Sequence, residues 1–331
     1  MQALVNGYGS GGTATPSAGK NDVTFIDYDG TILYSYSLAE AQALTELPAL
    51  PAHDGLVCQG WNWTLEAIKA LNRPVTVGAM YITDNGATRL HIMIAAVGRM
   101  TVPLYIGQNV ANGVSIDWGD GSTAETLAGI GNVNTSHTYA EPGDYIISLM
   151  PEDGCTLSFG ANAPSHCVMG ATGNNGKVYC NMLQKVELGH GVTSIGSYAF
   201  YYCYSLASVT IPDSVTRIDN NAFYSCYSLA SVTIPDRVTS IDNSAFNCCY
   251  SLASVTIPDR VTSIGNYAFM NCYGVAEYHL KPTTPPTLAS ANAFNNIPSD
   301  CIIYVPKGCL EAYQSATNWS TYTDYMREEP V

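Results

Sequence analysis

The second half of this 331-residue chain repeats itself every 23 residues. The segment "LQKVELGHGVTSIGSYAFYYCYS" begins at Leu183, and three further copies follow without insertion or deletion. In the first copy, the apolar positions that recur in all four are Leu183, Val192, Ile195, Phe200 and Cys203. A single turn cannot bury its own apolar face, but stacked turns bury each position against its equivalent in the next turn. The repeat therefore predicts a mainly β solenoid whose turns join as parallel strands about 4.8 Å apart.

Cysteine is abundant, with 11 residues, and Cys203, Cys226, Cys249 and Cys272 recur at the repeat interval. Two interpretations of this column stay open. Free cysteine is among the most buried residue types, so the thiols can be small apolar fillers in a tight corner. Stacking would also bring them close enough for disulfides between turns, although a continuous column has no pairing rule. The chain has no CxxC pair and no zinc-like Cys/His spacing, so we expect neither a metal site nor a cofactor.

The repeated segment "LASVTIPDSVTRIDNNAFYSC" and its copies resemble the BspA-like leucine-rich repeats of bacterial surface proteins, a type also described from treponemes. This resemblance covers residues 183–306 and implies a leucine-rich-repeat solenoid on an exterior surface. Residues 307–331 resemble the closing segment of that family. We expect a last strand at Ile302, Tyr304 and Pro306, followed by a C-terminal helical cap. The side chains expected to cover the open end are Leu310, Tyr313 and Trp319.

The middle of the chain, from Val114 to Met150, resembles a PKD domain, an immunoglobulin-like β-sandwich. The matching motifs are "WGDG", "HTY" and "PGDY", and apolar residues alternate on either side of the turns, as in strands. We predict a PKD-like sandwich over residues 88–165 and a linker or N-terminal cap over residues 166–182.

Four polar residues of this module suggest chemistry, and a structural role is the alternative for each. Asp117, Asp120 and Asp144 could suggest a calcium site, but Asp in tight turns more often bonds its own backbone. His137 has no nucleophile at a recognisable spacing. We therefore expect His137 to be a structural partner within the sandwich and expect no catalytic residue here.

Near the N-terminus, the motif "VTFIDYDGT" places Asp27 and Asp29 after four mostly apolar residues. This resembles the nucleophile motif of haloacid-dehalogenase-type phosphatases, which use Mg²⁺ to neutralise the transferred phosphate. A phosphatase of that type needs a doubly wound sheet after the motif. The roughly 60 residues that follow show no βαβ alternation, so the phosphatase is only a remote alternative.

Residues 22–87 instead resemble the internalin B-repeat, a small β-grasp module. The matching features are the "VTF" strand with Gly30, a Pro-containing stretch, and the Gly60-Trp61 strand. On this interpretation Asp27, Asp29 and Gly30 form a hairpin turn, because Asp-Gly tolerates positive φ. The segment "AEAQALTEL" predicts the crossing helix, and "NWTLEAIKALNRP" is a helical insertion that the family lacks. Apolar residues of the crossing helix are Ala41, Leu44 and Leu47.

Charge and composition limit the classes of partner. The net charge is −14 and charged residues make up only 12% of the chain, so nucleic acid is not an expected partner. No segment approaches 18 apolar residues, so we predict no membrane insertion. Residues 1–21 are a Gly/Ser/Thr-rich leader without the features of a secretory signal. We expect a location on a bacterial cell surface or on a phage particle.

The repeats differ from one another mainly around their Cys column, where Tyr, Ser and Asn predominate. That composition is typical of adaptable binding surfaces, although the same residues could simply cover the edge of the coil. The candidate ligand-binding residues are Tyr201, Tyr202, Tyr204, Tyr224, Ser225, Tyr227, Asn247, Tyr250, Asn271 and Tyr273.

These features lead us to expect a non-catalytic recognition or adhesion protein that binds a cell-surface glycan or protein. A structural spacer that packs against other virion or cell-wall proteins is the alternative. The residue set at the variable positions is also the one that base changes at the two adenines of an AAY codon produce. Targeted diversification is therefore a further hypothesis about the repeats.

Overall fold

The computed structural model describes residues 22–27, 31–51, 56–61, 64–71, 73–83, 86–95, 99–160, 167–169 and 179–330. The chain divides into two compact units, Met1–Asn85 and Gly86–Val331. Strands predominate in both, and the helices are short. The predicted leader and the predicted turn residues Asp29 and Gly30 lie outside the described residues.

The first unit contains one mixed sheet and two helices. Its elements are β1 (Val23–Ile26), β2 (Ile32–Tyr36), α1 (Leu38–Gln42), β3 (Leu56–Trp61), α2 (Leu65–Lys69) and β4 (Val75–Thr83). The sheet order is β2-β1-β4-β3, with β1 parallel to β4 and antiparallel to β2. The assignment of this unit to the β-grasp class stays a prediction.

The core of the first unit forms around Phe25 on β1. Its ring meets the ring of Trp61 edge to face at 4.8 Å, and the Trp61 indole donates to the carbonyl of Pro48 at 2.8 Å. The predicted crossing helix is shorter than its apolar pattern, because α1 ends at Gln42 with Ala43 as its C-cap. Leu44 and Leu47 lie beyond the end of α1, but both still pack against this core.

The second unit begins with seven strands arranged in two sheets. They are β5 (Thr88–Ile94), β6 (Thr101–Gln108), β7 (Val114–Asp117), β8 (Glu125–Thr126), β9 (Gly131–Thr138), β10 (Gly143–Pro151) and β11 (Leu157–Phe159). One sheet has the order β5-β10-β7-β8 and the other the order β11-β6-β9. The PKD-like class of this part stays a prediction.

The repeats add paired short strands to each turn of a solenoid. These strands are β12 (Leu183–Glu187), β13 (Val192–Ile195), β14 (Ser208–Thr210), β15 (Arg217–Ile218), β16 (Ser231–Val232), β17 (Ser240–Ile241), β18 (Ser254–Ile257), β19 (Ser263–Ile264), β20 (Glu277–Leu280), β21 (Thr287–Leu288) and β22 (Ile302–Val305). Equivalent strands of the four copies pair in parallel at an offset of 23 residues, as Val209 does with Val232, and the offset is 24 for β19 with β21 and 25 for β20 with β22. The predicted mainly β solenoid is confirmed.

Each of the two sandwich sheets continues directly into a sheet of the solenoid, whereas β18, β20 and β22 lie in a separate sheet. Strand β12 pairs with β5, so one sheet runs β16-β14-β12-β5-β10-β7-β8. Strand β13 pairs with β11, so the other runs β21-β19-β17-β15-β13-β11-β6-β9. A single cluster of buried side chains extends from Leu90 to Met326. The structure therefore merges the predicted sandwich and the predicted repeats, and the boundaries assigned between them stay predictions.

The described parts of the predicted 166–182 linker are packed into this junction. Val168 and Met169 are fully buried, and the Val168 carbonyl accepts a hydrogen bond from the N–H of Tyr105 at 2.8 Å. The N–H of Val168 donates to the carbonyl of Ala199 at 2.8 Å. These residues thus hydrogen-bond to the sandwich on one side and to the first repeat on the other.

At the C-terminus, the strand expected at Ile302, Tyr304 and Pro306 forms as β22 (Ile302–Val305), but it is not the last strand of the chain. After β22 the chain forms α3 (Leu310–Ser315) and a 3₁₀ helix (Trp319–Tyr325), and returns as β23 (Met326–Glu328) parallel to β22. Tyr313 and Trp319 are fully buried, and Trp319 packs on Phe294 at 5.5 Å. The Trp319 indole donates to the carbonyl of Pro286 at 2.7 Å.

The repeat cysteines are free, buried thiols. Each thiol of the last three donates to the carbonyl of the Phe 26 residues earlier, as Cys249 does to Phe223 at 3.3 Å. Burial raises the pKa of Cys226 and Cys249, and raises that of Cys272 to about 12. The column is thus a packing feature, which agrees with the filler interpretation rather than with disulfides between turns.

We predict that the thiols of Cys226, Cys249 and Cys272 stay unlabelled by N-ethylmaleimide in the native protein and react fully in denaturant. Burial and a raised pKa both withhold the reactive thiolate. Peptide mass mapping reads each site, and the partly exposed Cys309 is the positive control. Native labelling of the column at the rate of Cys309, or linked repeat peptides, would contradict this packing.

A carboxylate supports the junction of β5 with β12. Glu187 on β12 forms an ion pair with Lys185 at 2.6 Å and bonds His91 of β5 at 3.4 Å. Burial by itself would raise the pKa of Glu187, but the hydrogen bonds from His91 and Lys185 outweigh it and lower this pKa to about 2. A carboxylate whose folded pKa is depressed stabilises the fold above its unfolded pKa, and this contribution is lost as pH falls through the folded pKa.

We predict that Glu187→Gln lowers the free energy of unfolding by about 2 kcal/mol near neutral pH. The difference between wild type and variant should shrink as pH falls from 4.5 towards 2. Urea denaturation at several pH values measures it, with the exposed Glu311→Gln as the matched control. A difference that stays constant across this pH range would show that the ion pair does not support the junction.

Candidate functional site

The most distinctive backbone of the solenoid lies in the turn that carries the variable residues. In the first repeat, Phe200 donates across to the carbonyl of Ala222 in the next turn at 2.7 Å. Tyr198 and Tyr202 likewise donate to the next turn, at 3.0 and 2.9 Å. The alternate amides, such as Tyr201, bond back within their own turn. Every second N–H therefore points along the solenoid axis.

This alternation requires left-handed backbone at two positions of each turn. The residues of the first column, with φ between 55° and 64°, are Tyr198, Asn221, Ser244 and Tyr267. Those of the second column, with φ between 60° and 63°, are Tyr202, Ser225, Cys248, Asn271 and Asn296. Asn tolerates this conformation, whereas a bulky side chain there costs about 1–2 kcal/mol. The Tyr residues of these columns therefore oppose local backbone preference, a mark of functional sites.

Four tyrosines stack on one another along the solenoid axis. We call Tyr204, Tyr227, Tyr250 and Tyr273 the tyrosine ladder. Successive ring centroids lie 4.6, 4.5 and 5.3 Å apart, with interplanar angles of 24°, 7° and 28°. Exposure increases along the ladder, and Tyr250 and Tyr273 are 37% and 55% exposed. Because the ring faces contact one another, a partner meets mainly ring edges and phenol hydroxyls.

A second group of rings joins the ladder at its first turn. We call Tyr198, Tyr201, Tyr202 and Tyr224 the tyrosine cluster. Tyr201 lies 4.0 Å from Tyr202 and 5.2 Å from Tyr224, and Tyr202 lies 5.5 Å from Tyr204 of the ladder. All four cluster rings are partly exposed. Cluster and ladder thus form one continuous aromatic surface on this side of the repeats.

The structure places eight of the ten predicted binding residues on or beside this surface and buries two. Ser225 is 2% exposed and Asn247 is 7% exposed. One turn earlier the equivalent residues, Tyr202 and Tyr224, are partly exposed, so the same two positions of the turn hold buried small side chains in one repeat and partly exposed rings in another. Asn271 is partly exposed and accepts from the Tyr273 hydroxyl at 3.1 Å. Tyr198 and Tyr267 are not among the predicted binding residues. Their left-handed backbone is the feature that sets them apart from other tyrosines of the repeats.

The aromatic surface is uncharged. The four turn segments that build it, 197–207, 220–230, 243–253 and 266–276, contain no Asp, Glu, Lys or Arg. Burial, followed by the charge of neighbouring Tyr227, raises the pKa of Tyr204 to about 12. Burial likewise raises the pKa of Tyr201 and Tyr224. The phenols are therefore neutral hydrogen-bonding groups at physiological pH.

The N-terminal Asp motif lies in a different setting from that of a phosphatase. Asp27 follows β1, and its N–H donates to the carbonyl of Thr31 at 2.8 Å as the chain turns back into β2. Asp29, the second carboxylate of the remote phosphatase alternative, lies outside the described residues. The described part of this unit contains a four-stranded mixed sheet and not the doubly wound sheet that the phosphatase alternative requires.

In the sandwich, the polar motif residues bond to one another and to turns. Asp117 and Asp120 accept from the N–H groups of Gly119 and Ser122 at 2.9 and 3.0 Å. His137 contacts Asp120 at 2.6 Å, and its ring stacks on Trp118 at 5.0 Å. Desolvation by itself would raise the pKa of Asp120, but the hydrogen bonds from Ser122 and His137 outweigh it and lower this pKa to about 2. This geometry supports the expected structural role of His137.

We predict that Tyr267→Asn raises the free energy of unfolding by about 1 kcal/mol, because Asn accepts left-handed backbone more readily than Tyr. Tyr273→Asn is the matched control, since Tyr273 is also exposed but is not left-handed. The control should gain nothing, and it loses the contact with Tyr250. Urea denaturation measures both. An unchanged or lower stability for Tyr267→Asn would show that this backbone is not strained.

Comparison with known proteins identifies the repeats. Residues 176–315 match the family model "BspA type Leucine rich repeat region" in six copies. The chain therefore contains a BspA-type leucine-rich repeat region, as the sequence predicted. No curated protein matches the chain. Among the described residues, none of the helices has the length and apolar character to cross a membrane.

Several solved structures resemble part of the chain. A leucine-rich repeat protein from Bacteroides ovatus ATCC 8483 is 27% identical over 51% of this chain and 39% of its own, with a TM-score of 0.34. The T. pallidum leucine-rich repeat protein is 30% identical over 38% of this chain and 60% of its own, with a TM-score of 0.32. A leucine-rich cell surface protein from Faecalibacterium prausnitzii is 23% identical over 46% of this chain and 65% of its own, with a TM-score of 0.20. The chain thus spans less than two thirds of the length of each.

Proposed function

We propose that the chain is a non-catalytic recognition protein that binds an uncharged partner, a cell-surface glycan or a neutral protein surface, through its aromatic surface. The observation that carries the proposal is the tyrosine ladder, a row of partly exposed phenols held at fixed spacing by the stacked turns. Tyr provides a large, rigid contact area with a hydrogen-bonding tip, at a low cost in side-chain entropy.

Charge supports this choice of partner. The net charge of the chain is −14, yet the four segments under the aromatic surface contain no charged residue. A polyanion would be repelled by the chain as a whole and would find no cation on this surface. Binding through phenol hydroxyls and ring edges instead suits a partner rich in hydroxyl or amide groups. The chain combines repeats of the BspA type with an uncharged aromatic surface. We expect this combination in a protein exposed on a cell or on a phage particle.

The strained positions support the same face. Tyr198, Tyr202 and Tyr267 keep a bulky ring where the backbone favours Asn or Gly, and all three are at least partly exposed. Each of these rings costs about 1–2 kcal/mol of stability that Asn or Gly at the same position would not cost. Contact with a partner is a physical reason to retain them.

We predict that the double variant Tyr250→Ser, Tyr273→Ser weakens binding about 30-fold or more, since central aromatic residues carry most of the energy of an interface. Binding is measured on an array of neutral and acidic glycans and on intact bacterial cells. The matched control is Thr233→Ala, Thr256→Ala, two exposed side chains on the strand face of the same repeats.

Two results would count against this proposal. Equal binding by the tyrosine variant and the threonine control would move the interface away from the ladder. Binding that falls steeply with salt would show that charge, and not neutral contact, drives recognition. If neither glycans nor cells are bound, the structural spacer becomes the better interpretation.

A further inference from the structure

Three buried thiols meet where the sandwich joins the first repeat. Cys180 lies 23 residues before Cys203 and so extends the cysteine column by one turn. Cys167 comes from the segment packed into the junction, and its Sγ lies 3.0 Å from that of Cys180. The Sγ atoms of Cys167, Cys180 and Cys203 all lie within 4.8 Å of one another, and all three residues are fully buried.

Distances discriminate between a metal site and a covalent bond. Structural zinc takes four ligands at about 2.3 Å from sulfur, which places two thiolates on one zinc about 3.8 Å apart. The Cys167–Cys180 separation is shorter, and among the residues that the structure describes the group holds three sulfurs and not four. It is also shorter than the roughly 3.5–4.0 Å at which even smaller non-bonded carbon atoms attract each other. The geometry thus suits two sulfurs that can bond directly.

The surroundings of Cys167 favour reaction at its sulfur. Burial would raise the pKa of this thiol, but hydrogen bonds from Cys180 and Cys203, and from the backbone N–H groups of Met169 and Val168, hold it well below its ordinary value. Burial raises the pKa of Cys203, so that thiol stays protonated. A thiolate beside a neutral thiol is the arrangement from which thiol–disulfide exchange starts.

We propose that Cys167 and Cys180 form a disulfide when the protein folds in an oxidising environment, and that Cys203 remains a thiol. The oxidant is a small-molecule disulfide. The Cys167 thiolate attacks one sulfur of that disulfide, forms a mixed disulfide and releases one small thiolate. Cys180, deprotonated, then attacks the Cys167 sulfur and releases the second small thiolate. Two protein thiols are oxidised, one external disulfide is reduced to two thiols, and two protons leave the protein.

The bond would close the segment between Cys167 and Cys180 into a loop of 14 residues. Closing a loop of this length lowers the unfolding equilibrium constant about 100-fold. The disulfide would therefore hold the junction at the open end of the thiol column, where Cys180 has no preceding turn of the repeat.

The test is peptide mapping of the full chain, refolded from denaturant in a glutathione redox buffer, quenched with acid and then blocked with excess N-ethylmaleimide in denaturant, where the buried thiols are accessible. The expected product is a Cys167–Cys180 linked peptide, lighter by two hydrogen atoms than its separate parts, with Cys203 blocked as a thiol. A link from either residue to Cys203 would overturn the proposal. So would three blocked thiols, or a metal ion retained in stoichiometric amount.

A stability measurement provides the second readout. Dithiothreitol should raise the unfolding constant of the wild-type chain about 100-fold. Cys203→Ser should keep this response to reductant, and Cys180→Ser should lose it. If Cys180→Ser does not fold, wild type with and without reductant decides the question, and equal stability in the two conditions contradicts the proposal.

Discussion

The architecture of the second unit depends on the hydrogen bonds that pass from each turn of the solenoid to the next. In the turn segments the amide of Phe200 donates to Ala222, and the equivalent amides repeat this contact in the following turns. These bonds fix the register, and the register places Phe on Phe, Cys on Cys and Tyr on Tyr. Ring centroids about 5 Å apart along the Phe column show how closely that register holds. The same register stacks the rings of the tyrosine ladder on the solvent-exposed side of the turns.

A solenoid also needs a partner for its first turn, because an open strand edge is prone to pair with other chains. Here the sandwich provides two such partners, because β12 pairs with β5 and β13 pairs with β11. The two layers therefore continue from antiparallel sandwich to parallel solenoid without a break in the core. This continuity ties the shape of the aromatic surface to the stability of the sandwich.

The repeats were predictable from the sequence because a strict period shows directly which side chains are equivalent. Leu206, Val215 and Ile218, the equivalents of Leu183, Val192 and Ile195, are buried as the repeat predicts. The 23-residue period also made Cys180 predictable as a member of the cysteine column, because it lies one turn before Cys203. The C-terminal strand β23 was missed because it pairs with β22 only after an intervening helix.

Other features could not be predicted from local patterns. The pairing of β5 with β12 joins segments about 100 residues apart, and no periodic signal connects them. The burial of Ser225 and Asn247 has no signal in the sequence, because the equivalent residues one turn earlier, Tyr202 and Tyr224, are partly exposed. The candidate site was thus predictable as a group of tyrosines near the Cys column. The exposure of its individual members depends on how neighbouring turns pack, which the repeat pattern does not show.

The central claim is that sandwich and solenoid form one cooperative structure held by turn-to-turn hydrogen bonds, and native-state hydrogen exchange tests it most directly. The amides of Phe200, Phe223 and Phe246 report on the turns, and those of Met93 and Leu157 report on the junction with the sandwich. The account predicts that all five exchange through the same global opening, with free energies that agree within about 0.5 kcal/mol. Phe amides that exchange through a separate, much easier opening while Met93 and Leu157 stay protected would contradict it.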